Sequence, residues 1–118
     1  MNSVNLAERF ASFEELWKPK IVGEVNDAYV KLVKVKGTFV WHRHEKEDEL
    51  FLLVSGRMRL QLRTGDVSLK AGEMAIVPRG VDHRPKADEE AHVLLIEPKS
   101  TTNTGNVQDD RTTDAEWI

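Results

Sequence analysis

Arg57-Met58-Arg59-Leu60-Gln61-Leu62-Arg63 alternates strictly between polar and apolar residues. Successive side chains of a strand leave opposite faces, so this pattern predicts a half-buried β-strand. Met58, Leu60 and Leu62 then face a core, and Arg57, Arg59, Gln61 and Arg63 face water. Such an arginine row also suits an anion site, but a solvated strand face is the simpler expectation. Working outward, short apolar runs predict further strands over Ile21–Val25, Tyr29–Lys36, Phe39–His44, Glu49–Val54, Val67–Lys70, Met74–Val77 and His92–Glu97. Ser55-Gly56, Thr64-Gly65-Asp66, Ala71-Gly72 and Pro78-Arg79-Gly80 supply the turns. Many short strands with no helices between them imply an all-β antiparallel sandwich or barrel.

The rest of the chain fits one such unit. Its 118 residues suffice for one domain, and 40% hydrophobic with 31% charged residues is a globular balance. The formal charge of −3, with no basic stripe, argues against nucleic acid as the main partner. There is no cysteine, which removes disulfides, thiolate metal sites and cysteine nucleophiles together. No apolar run reaches the roughly 18 residues of a membrane span. The start, Met1-Asn2-Ser3-Val4-Asn5, lacks the blocks of a secretory signal, so a cytoplasmic protein is the expectation.

Leu6, Phe10, Phe13 and Trp17 fall on one face of a 3.6-residue period, predicting a helix that packs on the body of the domain and ends at Pro19. Ser12 with Glu15 is an alternative capping box for a shorter helix. After Pro98 the chain reads as loop, with only Val107, Trp117 and Ile118 as anchors.

Two histidine-bearing segments stand out. His42 and His44 are separated by one residue, so on a strand both imidazoles leave one face with Cα atoms roughly 6.7 Å apart, close enough to converge on one ion. A turn through Glu45-Lys46-Glu47-Asp48 would return Glu49 beside them. The same stretch also fits a solvated charged turn edged by two surface imidazoles. Further on, Gly72 and Pro78-Arg79-Gly80 deliver a third imidazole, His83.

Gly37-(four residues)-His42-Arg43-His44-(four residues)-Glu49-(six residues)-Gly56 resembles the first cupin motif, and Gly72-(five residues)-Pro78-Arg79-Gly80-(two residues)-His83 resembles the second. Fifteen residues separate Gly56 from Gly72, as in short bacterial members. Gly37 stands one residue nearer its histidine than is usual, and Ala87 occupies a position where the second motif often has Asn. Neither is a ligand position. The resemblance implies a jelly-roll barrel holding one divalent metal, with His42, His44, Glu49 and His83 as ligands. It divides the chain into an N-terminal helical segment packed on the barrel (1–18), the barrel (19–98) and a tail (99–118). Three imidazoles and a carboxylate suit Fe, Mn, Zn, Ni or Cu without ranking them. Glu47 and Asp48 compete for the carboxylate role, but Glu49 has the better parity. His92 is expected to be structural.

Parity also assigns faces. Val40, Phe51 and Leu53 turn inward with the ligands, so Val40, Phe51, Met58 and Leu60 promise a greasy cavity, within a core of Leu53, Met58, Leu60, Leu62 and Ile76. Phe39, Trp41, Leu50 and Leu52 turn outward and need cover, from the N-terminal helix or from a second subunit in a homodimer. The function expected is a metal-dependent enzyme on a small oxygen-bearing molecule, of dioxygenase, isomerase or lyase type. A non-catalytic small-molecule-binding or sensing protein is the alternative. Glu47, Asp48 and Arg79 lie near the expected mouth.

Overall fold

In the computed structural model, which describes residues 1–118, the elements are α1 (Leu6–Ala11), β1 (Lys20–Val25), β2 (Ala28–Thr38), β3 (Glu49–Ser55), β4 (Arg57–Leu62), β5 (Gly65–Lys70), β6 (Met74–Val77), β7 (His83–Pro98) and β8 (Glu116–Trp117). The sheet order is β5-β4-β7-β2-β1-β8, with β3 pairing both β7 and β6. Every pairing is antiparallel except the two-residue β1–β8 pair, which is parallel. The sheet curls into an open jelly roll. No helix is long and apolar enough to cross a membrane.

β7 is the spine. Its first residues pair with β4 on one side, its last with β3, and β2 runs beside it from Thr38↔Lys86 to Ala28↔Pro98. The curl follows from that change of neighbour, and it closes two sets of inward side chains on each other. Val33, Val35, Phe51, Leu53, Met58, Leu60, Leu69, Val77, Ala87, Ala91, Val93 and Leu95 form the resulting core. Gly56, with φ +87, turns β3 into β4, and a Cβ there would press on Ala91 at 3.1 Å. Only glycine lets the turn approach β7 so closely.

Several expectations need correction. β7 begins at His83 rather than His92, so a strand of 16 residues replaces a short one. Phe39–His44 is not a strand; its one ladder pairing is an isolated bridge, His42↔His83. Phe39 N–H donates to the Pro85 carbonyl at 2.9 Å, and Pro85 has no N–H to return, so the ladder stops there. Strand parity therefore fails in this segment. Phe39 is buried and stacks on Trp17 with ring centroids 4.7 Å apart. Trp41 lies under the guanidinium groups of Arg63 and Arg84, at 3.8 and 4.9 Å.

The helix has six residues, capped by the Asn5 side chain, which accepts from Glu8 N–H at 3.0 Å; Ser12 is its C-cap. Trp17 lies beyond it with φ 65 and joins the core instead. Phe10 and Phe13 do pack on the sheet, over Leu32 and Leu94 and against Leu52 and Val54. Ile76, assigned to the core, is 55% exposed. Its parity is that of Leu50 and Ile96, its row partners on the outer face.

Candidate metal centre

Three separate pieces of backbone deliver the four side chains. Glu49 opens β3, His83 opens β7, and His42 and His44 sit on the irregular segment between β2 and β3. The bridge His42 N–H to His83 O (3.0 Å) and His83 N–H to His42 O (2.9 Å) sets two imidazoles side by side. Gly80 N–H donates to the His44 carbonyl at 2.8 Å. The neighbouring Arg79 N–H donates to Asp48 at 2.9 Å. The Pro78-Arg79-Gly80 turn is thereby pinned against the His44–Asp48 loop. Asp48 is the tie, held below the ordinary carboxylate range by its hydrogen bonds to Arg79.

The C-terminal tail closes the arrangement, which its sequence did not announce. Arg43 N–H donates to Asn106 Oδ1 at 2.8 Å, and Asn106 N–H returns to the Arg43 carbonyl at 3.0 Å. Gly105, with φ +56, passes so close that a Cβ would overlap the Arg43 carbonyl oxygen. Thr104 is fully buried, donating to the Val107 carbonyl at 2.6 Å. The loop between the two histidines is thus gripped by polar residues whose sequence looks like linker.

His42, His44, Glu49 and His83 are all at most 4% exposed, and one donor atom from each lies within 4.8 Å of all the others. His42 Nδ1–H donates to the Val40 carbonyl at 2.9 Å and His83 Nδ1–H to the Val81 carbonyl at 3.0 Å. Each bond fixes the tautomer that leaves Nε2 with its lone pair free toward the cluster. Glu49 Oε1 stands 3.3 Å from both His44 Nε2 and His83 Nε2. Yet both nitrogens of His44, and Nε2 of His83, are buried without a hydrogen-bond partner. Buried polar atoms are almost always satisfied, so converging orphans are what a cation would complete. Burial and the neighbouring His83 lower the His42 pKa to about 4, leaving it neutral at physiological pH, as a ligand must be. Burial would raise the Glu49 carboxyl, but the neighbouring Glu97, His44 and His83 side chains hold it well below the usual range.

The cluster opens on a cavity of about 40 Å³, room for a few water molecules. Trp17, Val33, Val35, Phe39, Phe51, Val93 and Leu95 make it greasy, while His42, Glu49, Glu97 and Asn103 are its polar members. Phe51 was foreseen there. Val40, Met58 and Leu60 do not line it, because the last two lie deeper in the core. Trp17, Phe39 and Asn103 replace them from segments outside the regular strands. Glu47 accepts from Ser100 Oγ at 2.8 Å. His92 faces outward, stacked on Phe10 at 4.6 Å and bonded to Glu90 at 2.8 Å.

An open jelly roll whose interior gathers three histidines and a glutamate is the arrangement of the cupin class. The family model described as Cupin domain matches residues 29–97, and the chain belongs to that family. It is similar to the uncharacterized protein YdbB of Bacillus subtilis (strain 168), with 32% identity over 79 residues, 66% of this chain and 70% of that protein. Among solved structures, a cupin-2 domain containing protein from Shewanella frigidimarina shares 42% identity over 80% of this chain and 93% of its own, with a TM-score of 0.79. A likeness of fold alone extends to hydroquinone 1,2-dioxygenase from Sphingomonas sp. TTNP3 with 4-hydroxybenzoate bound. It has 19% identity and a TM-score of 0.72 over 84% of this chain and 32% of that one.

Proposed function

We propose that the protein is a metal-dependent enzyme acting on a small oxygen-bearing molecule, with His42, His44, Glu49 and His83 as the ligands of one divalent ion. One observation carries it. Nε2 of His44 and Nε2 of His83, buried without a hydrogen-bond partner, meet Glu49 Oε1 at 3.3 Å from separate segments, and His42 joins them within 4.8 Å. A scaffold gains nothing from that convergence, whereas a metal centre requires it. The donor set fits Fe, Mn, Zn, Ni or Cu. A bound ion would supply Lewis-acid polarisation of an oxygen atom, and four protein ligands would leave coordination positions for substrate. The residues around it supply the remainder. Val40 and Val81 carbonyls hold two rings in ligand-ready tautomers. Phe39, Phe51 and Trp17 exclude bulk water and suit an apolar body on the substrate. The charged neighbours Asp48 and Arg79 bind each other.

We assign the protein to the cytoplasm and infer that it works as a homodimer. Met74, Ile76 and Ile96 are 51%, 55% and 37% exposed on one face of β6-β3-β7. The helical segment covers Leu52 and Leu94, and it leaves open both Met74, at the β6 end of their row, and the Ile76–Ile96 row beside it. Metal analysis of protein purified without chelator, then oxygen uptake and product analysis with keto acids, sugars and phenols, tests the enzyme. A stoichiometric ion with turnover on one class is expected. A stoichiometric ion with ligand binding and no turnover across the panel would favour a sensing protein instead.

A further inference from the structure

The inner face carries two charged residues that the metal centre does not itself require. β3 and β7 pair as Leu50↔Ile96, so Glu97 lies beside Glu49, one rung further along. β2 and β7 pair as Lys31↔Leu95, which gives Lys31 the inward parity of Val33 and Val35. Lys31 Nζ donates to Glu97 Oε1 at 2.8 Å. The two residues are 4% and 2% exposed. Glu97 Oε2 is buried without a hydrogen-bond partner of its own, and the Glu97 and Glu49 carboxyl groups line the same cavity. The order along the sheet is therefore Lys31, Glu97, Glu49, then His44 and His83.

Folding alone does not account for this row. Burying an ammonium and a carboxyl carries a desolvation cost that an apolar pair of similar volume avoids, so such pairs are weak contributors to stability. The strands here already pair through continuous backbone registers around Lys31, Glu49 and Glu97. What the row does supply is a fixed partner for the rear of Glu49. A glutamate's terminal torsion is broad and nearly two-fold. With only Oε1 facing the imidazoles, the carboxylate could rotate to present either oxygen or both.

We propose that Glu97, clamped by Lys31, is a positioning residue that fixes the orientation of the Glu49 carboxylate as a metal ligand. The inference rests on the metal-centre reading above and extends it to two residues outside the ligand set. Residues that hold a ligand from behind commonly alter metal affinity roughly 10- to 100-fold when removed.

Co(II) is the probe, because its visible absorption reports both affinity and ligand geometry. Wild type, Glu97→Gln and the double variant Lys31→Met/Glu97→Leu are titrated, and the metal-free forms are melted in parallel. The introduced amide can still donate to Glu49 and accept from Lys31, so Glu97→Gln is expected to keep near wild-type affinity and spectrum. The double variant is expected to bind roughly 10- to 100-fold more weakly with an altered spectrum, while melting at or above wild type. Should the double variant fail to fold, Lys31→Met alone, which releases Glu97, carries the same comparison. A variant lacking the clamp that binds Co(II) with wild-type affinity and spectrum would overturn the positioning role and leave the metal centre standing. Wild type that binds no Co(II) would instead overturn the metal centre itself.

Discussion

At the scale of single residues, His42 shows how burial keeps an imidazole neutral, the state that ligation requires. Burial first, then the adjacent His83, takes its pKa from 6.5 to about 4, against the pull of its bond to Val40. The sign follows from linkage. The unfolded chain takes up the proton before the folded one does, so this contribution is fully present above pH 6.5 and is lost as pH falls toward 4. The loss approaches roughly 3 kcal/mol in the metal-free protein. Ring-proton NMR of the metal-free protein should show His42 titrating near pH 4, and denaturation of His42→Asn should lack that part of the pH dependence. A His42 ring that titrates near 6.5 would contradict the burial. The four cluster residues were legible as a spacing, because ligand geometry demands particular residue types at particular intervals. Lys31 and Glu97 were not, because charged residues in strands ordinarily face water. Nothing local marks Lys31 apart from Lys34 or Lys36, and only the register of β2 on β7 reveals it.

At the scale of elements, legibility followed periodicity. The alternation in β4 and the core parity of β3 correctly gave the inward Met58, Leu60, Phe51 and Leu53. The segment after β2 misled because its apolar content resembles a strand, while the missing Pro85 donor is a property of a partner far along the chain. The tail misled for the opposite reason. Its Thr101 and Thr104 bury by hydrogen bonding rather than by hydrophobicity, and periodicity cannot see that. Gly105 gives the tail a sharp test. Any side chain there meets both a positive φ and the Arg43 carbonyl, so Gly105→Ala should cost roughly 1–3 kcal/mol. The loop carrying His42 and His44 must then shift, and metal affinity should fall with stability. Calorimetry and metal titration on Gly105→Ala, beside Thr102→Ala as a neighbouring control, check this. Unchanged melting and affinity would show that the tail does not grip the loop.

At the scale of the whole molecule, one long strand shared by two layers gives both a core and a protected end where the cluster sits. The outer face is divided by what covers it: Phe10 and Phe13 pack over Leu94, while Ile76 and Ile96 of the next row stay exposed. Light scattering should find a dimer that Ile76→Glu converts to a folded monomer. A monomeric wild type would refute the shared face. The core is a different matter from the candidate metal cluster, since Leu53, Leu60, Val93 and Ala91 are apolar, fully buried and need no ion to pack. Fold and metal should therefore separate, unlike a structural zinc domain in which folding and metal uptake are one event. The most direct measurement is elemental analysis paired with thermal melting of wild type, His44→Ala and His83→Ala, each purified without chelator. One divalent ion per chain in wild type, strong loss in both variants and cooperative melting of all three is the expected result. Equal metal content in the three proteins, or no metal in any of them, would contradict the metal centre at its foundation.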